Sequence, residues 1–221
     1  MRLFEFKSLV FMLAFACLSA CNHTPVTLTV FEAAGWGKSV DSIRPNPKLR
    51  YLRVTTGDRV ALMVLGYVDT TPQGPIETWY SSEGEVLRLQ NGRVVATTGL
   101  RVDWRDVRYT RLPAWTEVTE RAPTFFDRLH DEMPGYRFGI SETVSLIRVP
   151  VPHNAKLVGL PASALVWYEE TVRGTPHGMP SARYGLRPQA GVPAGAPAVV
   201  YGEQCLSVDF CLAWQPWPVT P

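Results

Sequence analysis

Apolar and polar side chains alternate along most of the chain in short segments, each cut by Gly, Pro, Asn or Asp. A period of two places apolar groups on one face of a strand, so this pattern predicts β-structure. The clearest instance is "EVLRLQNGRVV", where Val86, Leu87 and Leu89 precede Asn91-Gly92 and Val94 and Val95 follow. Asn-Gly accepts the positive φ that a type I′ turn needs at both central residues, which predicts a two-residue hairpin. Ser82-Glu83-Gly84 predicts a turn just upstream, so Glu83 and Glu85 fall at or beside a solvated turn and read as scaffold. Thr56-Gly57-Asp58 predicts a third turn, between "RYLRV" and "RVALMVLGYVD", with residues 60–65 apolar enough for burial on both faces. With "TPQGP" as loop and "IETWY" as strand, these neighbours form a meander. In "RVDWRDVRYTRL" the apolar phase shifts after Trp104, which predicts a strand with a bulge at Arg105-Asp106. Further strands are expected in "ETVSLIRVPVP", "AKLVGL", "ALVWYEETVR" and "AVVYGEQCLSVDFCLAW", followed by an extended tail, "QPWPVTP".

Three segments depart from this period. Phe125, Phe126, Leu129 and Met133 share a face at helical spacing, with Thr124 as a cap and Pro134-Gly135 as a stop, and predict a helix. A second short helix is expected at residues 30–34. Residues 174–197, rich in Pro, Gly and Ala, read as a loop. The fold class expected is mainly β, an antiparallel meander with sandwich- or barrel-like closure in one domain, carrying one or two short helices.

The N-terminus supplies compartment. Arg2 and Lys7 precede an apolar run from Leu9 to Ala16, too short for a membrane span and suited to a secretory signal. Leu18-Ser19-Ala20-Cys21 follows directly and resembles the bacterial lipobox, in which the cysteine becomes the lipidated first residue of the mature protein. The organisation expected is a signal peptide over residues 1–20, an anchor and linker over 21–47, with Pro45 and Pro47 in the link, and a β-rich domain over 48–221. Asn22, in place of the Asp that favours inner-membrane retention, points to the outer membrane. The domain is then expected to face the periplasm, where disulfides persist. Cys17 leaves with the signal and Cys21 carries lipid, leaving Cys205 and Cys211. A continuous strand would hold these two about 20 Å apart, beyond disulfide reach. Either the chain turns through Ser207-Val208-Asp209 and pairs them, or both thiols are free; the oxidising compartment favours the disulfide.

Charge and motifs narrow the chemistry. A net charge of +2 with Lys only at Lys7, Lys38, Lys48 and Lys156 gives no basic face for nucleic acid. "GWGKS" has Glu32 where a phosphate-binding loop needs its first Gly, and no serine-hydrolase elbow or zinc-protease motif is present. No metal or cofactor is expected. Among His23, His130, His153 and His177, only His130 has carboxylates nearby in sequence, Asp127 and Asp131, on the charged face of the expected helix. Glu83, Glu85, Asp103, Asp106, Glu169 and Glu170 could supply a carboxylate pair for glycoside cleavage, a chemistry decided by their separation in space. The tryptophans, among them Trp36, Trp79, Trp104, Trp115, Trp167, Trp214 and Trp217, suit either sugar stacking or core packing.

Taken together, the lipobox, "LRVTTGDRVALMVLGYVD", "TWYSSEGEVLRLQNGRVVATTGL" with "DWR" after it, and the late "VWYEE" and "CLAW" resemble the YjbF/GfcB family of outer-membrane lipoproteins associated with exopolysaccharide and group-four capsule production. The resemblance implies a mostly β lipoprotein without an established enzymatic activity, working beside an outer-membrane β-barrel exopolysaccharide partner. It assigns no catalytic residues. The function expected is a non-catalytic accessory in polysaccharide production or secretion, with a polysaccharide-modifying enzyme or a glycan-binding module as the alternatives. Trp79, Tyr80 and Arg93 are the residues expected to serve a partner or glycan surface.

Overall fold

A computed structural model describes residues 40, 43–174, 178–188 and 198–219. The lipobox with Cys21, the expected helix at 30–34, His23, Trp36 and His177 lie outside these residues. Twelve strands follow one another: β1 (Tyr51–Thr56), β2 (Arg59–Thr71), β3 (Gly74–Tyr80), β4 (Val86–Gln90), β5 (Arg93–Thr98), β6 (Asp103–Thr110), β7 (Thr124–Met133), β8 (Arg137–Val149), β9 (Val166–Val172), β10 (Ala182–Arg187), β11 (Ala198–Ser207) and β12 (Phe210–Trp217). They form one antiparallel sheet in the order β5-β4-β3-β2-β1-β12-β11-β10-β9-β8-β7-β6, so β1 and β12 pair while β5 and β6 end the sheet. The sheet curls until those two ends meet and nearly closes into a barrel. Side chains bridge the seam: the Trp104 N–H donates to Thr97 Oγ1 at 3.0 Å and the Tyr109 hydroxyl to the Val94 carbonyl at 3.0 Å.

The expected hairpins form. Asn91 and Gly92 have φ of 50° and 77°, and Gln90 pairs with Arg93 across the two-residue turn. The bulge in β6 falls where the phase shift placed it, with a register break between Arg105 and Arg108 and φ of 50° at Asp106. Burial on both faces holds for Leu62, Met63 and Val64 within residues 60–65, Met63 joining the main core in the lumen and Leu62 and Val64 an outer cluster with Tyr51, whereas Ala61 is exposed. Val40, Ile43 and Leu49 cover that outer cluster.

Four expectations do not hold. Residues 124–133 are strand β7, not helix: Phe126, Arg128 and His130 point inward, and the inward period of two was hidden because two of its members are polar. Arg128 is opposite Glu142 on β8, which neutralises it there. Residues 174–197 are not all loop, since Ala182, Tyr184 and Leu186 alternate into the core as β10 between β9 and β11. The segment "AKLVGL" is not a strand; Ala155, Leu157 and Leu160 pack from a loop onto an outer cluster of Leu165, Trp167, Tyr201 and Ala213. The tail also begins later than expected, because Gln215, Pro216 and Trp217 complete β12. Helical structure among the described elements consists of short 3-10 turns, such as Trp115–Glu117 and Ala162–Ala164.

The barrel has two unlike ends. At one, the β4–β5 turn meets the segment before β7: the Trp115 indole N–H donates to the Asn91 carbonyl at 3.3 Å, and its ring lies 5.2 Å from both Tyr168 and Tyr184. Aromatic packing closes this end. At the other end, the β1–β2, β3–β4, β5–β6 and β11–β12 turns surround an open mouth.

Candidate functional site

Twelve strands enclose more space than side chains of an eight-stranded barrel would fill. Part of this lumen is filled by a polar network. Arg93 on β5 donates from Nε to Glu170 Oε1 on β9 at 2.7 Å, and both side chains are buried. The Arg93 guanidinium lies 3.6 Å from the Trp115 ring centroid, so its cationic face is held by an aromatic where no carboxylate reaches. Glu170 Oε2 accepts from the Tyr184 hydroxyl at 3.3 Å, which lies 3.1 Å from Gln204 Oε1. A second pair, Arg128 and Glu142, meets at 2.6 Å, with the Arg128 guanidinium 4.5 Å from the Trp104 ring centroid. Next to it His130 stacks on Trp104 with centroids 4.1 Å apart. His130 is thus a lumen residue, not the surface histidine expected, and burial pushes its pKa down from 6.5 to about 4.

This network also settles the location of the expected surface residues. Trp79 is 2% exposed and Arg93 1%, so neither forms a partner or glycan surface. Trp79 faces the lumen because it is paired with Leu65 and Leu87, both inward positions. Tyr80 is half-buried on the outer face, tilted against Tyr67 at 6.4 Å. Cys205 and Cys211 face each other across the β11–β12 hairpin and are joined as a disulfide, with the chain turning between Ser207 and Phe210.

The rest of the lumen is open. A hollow of about 980 Å³ occupies the mouth, and its inner wall is apolar: Val54, Met63, Leu87 and Leu212 belong to the core, with Leu100 and Phe210 packed against it. It extends over the lip of the β1–β2 hairpin to Val40 and Leu62 on the outer face. Charged groups ring it in pairs. Arg59 reaches Glu83 at 2.9 Å. Arg101 in the β5–β6 turn reaches the β11–β12 turn, donating to Asp209 Oδ2 at 3.0 Å and to the Asp209 carbonyl at 2.7 Å, with Phe210 under its guanidinium at 5.0 Å. In the strand order these turns are on opposite sides of the mouth, so this link crosses it. A hydrogen bond from Ser207, reinforced by Arg101, holds the Asp209 carboxyl below the usual range.

The six acidic candidates are dispersed. Glu83 and Glu85 do line the mouth, Glu83 paired with Arg59 and Glu85 bonded to the Ser81 hydroxyl, which also accepts from the Glu85 N–H and so shapes the β3–β4 turn. Asp103 accepts from the backbone N–H groups of Gly99 and Leu100 at 3.0 and 3.1 Å. Asp106 is paired with Arg108 on the exterior, and Glu169 lies 3.8 Å from Arg183 on the face opposite its buried neighbour Glu170. Among the described residues, no three His, Cys, Asp or Glu side chains gather as metal ligands. Arg59, Arg101 and Asp209, which define the mouth, were missed in the sequence because single turn residues carry no period; the Asp within "CLSVDFC" and the Arg after "TTGL" were the available signals.

Among curated proteins none matches the chain. Among solved structures it is similar to the hypothetical lipoprotein YmcC from Escherichia coli (K12), at 16% identity and a TM-score of 0.53, with 80% of this chain and 86% of that one covered. That likeness concerns the fold. The family model for group 4 capsule polysaccharide lipoprotein GfcB, YjbF, matches residues 27–179, a stretch that runs from ahead of β1 through β9, and the chain therefore belongs to the YjbF family of capsule-associated lipoproteins.

Proposed function

We propose that this lipoprotein is a non-catalytic accessory in exopolysaccharide or capsule production. In this reading the lipid on Cys21 holds the barrel domain at the outer membrane facing the periplasm, where it assists a β-barrel export partner or contacts the polymer. Two acyl chains give stable anchoring where one would be marginal. The observation that carries the non-catalytic reading is the commitment of the carboxylates. Glu142 and Glu170 are consumed in buried arginine pairs, Asp103 caps a turn, and the mouth acids are bound to Arg59, Ser81 and Arg101. A glycosidase needs one acid kept protonated opposite a second across an open cleft. The capsule association of the family supports the polysaccharide pathway.

The test is co-purification from outer membranes of cells producing the tagged wild type or Cys21→Ala, scored for a bound barrel protein and for secreted polysaccharide. The expected result is a barrel partner with the wild type and reduced secretion with Cys21→Ala. Shortening of polysaccharide chains by the purified protein, with no partner recovered, would replace the accessory reading with an enzymatic one.

A further inference from the structure

We infer that the mouth hollow is a lipid-binding site that takes up an acyl chain, a property that goes beyond the accessory role. The first ground is the wall. Its inner surface is built from strand positions facing the lumen, Val54, Met63, Leu87 and Leu212, and Ala61 on the same face remains exposed, so apolar surface is left open to whatever fills the mouth. A volume of about 980 Å³ lies at the upper end of the range of small-molecule sites, and barrels commonly hold one apolar ligand at the mouth. The inner wall offers a sugar few hydrogen-bonding groups: Thr56 and Ser82 lie towards the rim, and the Ser81 hydroxyl is already engaged by Glu85 and the backbone.

The second ground is the rim. Arg59, Arg101 and Lys156 balance Glu83, Glu85 and Asp209, so the entrance is polar but carries no net charge. A polar headgroup can stay in water beside these side chains while its hydrocarbon enters the lumen. The third ground is the surroundings. Tyr136 at the β7–β8 tip is 76% exposed, Phe138 64% and Val208 in the β11–β12 turn 55%, and all three are at the mouth end of the barrel. Val40, the described residue nearest in sequence to Cys21, lines the outer edge of the same hollow. An apolar cavity and exposed aromatics at a hairpin tip together suit an end that faces a lipid layer.

The experiment uses the whole mature chain with Cys21→Ala, so that no attached lipid competes, and palmitic acid bearing a diazirine near its methyl end as the probe. After photolysis, label should saturate and map to peptides of β1, β2, β4 and β12, and unlabelled palmitate should suppress it. Ala61→Trp, which fills the hollow from its wall, should lower labelling about 10-fold, the equivalent of losing the contacts of a buried side chain. A parallel measurement on the lipidated wild type distinguishes the source: labelling equal to that of Cys21→Ala points to a membrane lipid, and its disappearance points to the protein's own anchor, either of which supports the site. Label on Cys21→Ala that does not saturate, or that falls only on the outer face or the Tyr136 tip, overturns the inference, and this holds from the Cys21→Ala map even if the further substitution Ala61→Trp prevents folding.

Discussion

His130 lies in the lumen against the Trp104 indole with its Nδ1 3.7 Å from Glu142, and burial lowers its pKa from 6.5 to about 4. Glu142 favours its protonation and Arg128 opposes it, and desolvation outweighs both. Between pH 6.5 and 4 the unfolded chain therefore binds a proton that the folded chain refuses. Its contribution to stability is full above pH 6.5 and is lost as the pH falls towards 4, a change on the order of 3 kcal/mol. His130→Phe keeps the ring stack and removes the titration, so its urea midpoint should fall less than that of the wild type between pH 7 and 4.5. An equal fall in both proteins would mean that His130 is not held neutral. The Arg93–Glu170 pair makes the companion case. Glu170→Gln leaves a buried guanidinium without its countercharge and should cost about 3–5 kcal/mol, whereas Arg93→Met combined with Glu170→Leu should recover most of that, because a matched apolar replacement avoids burying an unpaired charge. Denaturant unfolding of the three proteins checks the order.

At the scale of the element, the β4–β5 hairpin couples turn chemistry to packing. Gly92 has φ of 77°, and a Cβ built there would overlap the side chain of Val199 at the start of β11. Gly92→Ala must therefore strain the turn and push β11 away, and a loss of about 1–3 kcal/mol is expected in thermal unfolding. A loss confined to a few tenths would mean that the contact with β11 yields freely. This hairpin was legible because local rules decide it: Asn-Gly fixes the turn and Val86 to Val95 supply the strands. The β6 bulge and the disulfide turn were legible for the same reason. Strand β7 was not, because Arg128 and His130 occupy inward positions that become tenable only when Glu142 and Trp104 face them from other strands. Phe125, Phe126, Leu129 and Met133 were left to mimic a helix. "AKLVGL" failed in the opposite direction, since burying one side of a loop creates alternation without a ladder. Arg93 and Glu170 stand 77 positions apart, and nothing in either segment announces the other.

The whole molecule depends on how a long sheet closes without a final ladder. Neighbouring strands are joined in sequence almost everywhere, yet β1 must pair with β12, and β5 must come to rest beside β6 through side chains. Trp104 is central to that closure. Its backbone N–H ties β6 to Thr97 on β5, and its indole N–H crosses the lumen to the Leu206 carbonyl on β11 at 2.9 Å. The same indole carries His130 on one side and Arg128 nearby, so the seam and the polar network share one side chain. Trp104→Phe retains a ring but leaves the Leu206 carbonyl unsatisfied and shrinks the support of the seam, at a cost of about 1–3 kcal/mol. The consequence should be uneven. Amide exchange ought to accelerate most along β5 and β6, where no ladder resists opening, while β1, β2, β11 and β12, held by pairing on both sides, should keep their protection. Uniform acceleration across all twelve strands would mean that the barrel opens as one cooperative unit and that the seam is no weaker than the ladders. Selective acceleration would locate the flexible line of the barrel beside the β5–β6 turn, the turn whose Arg101 spans the mouth.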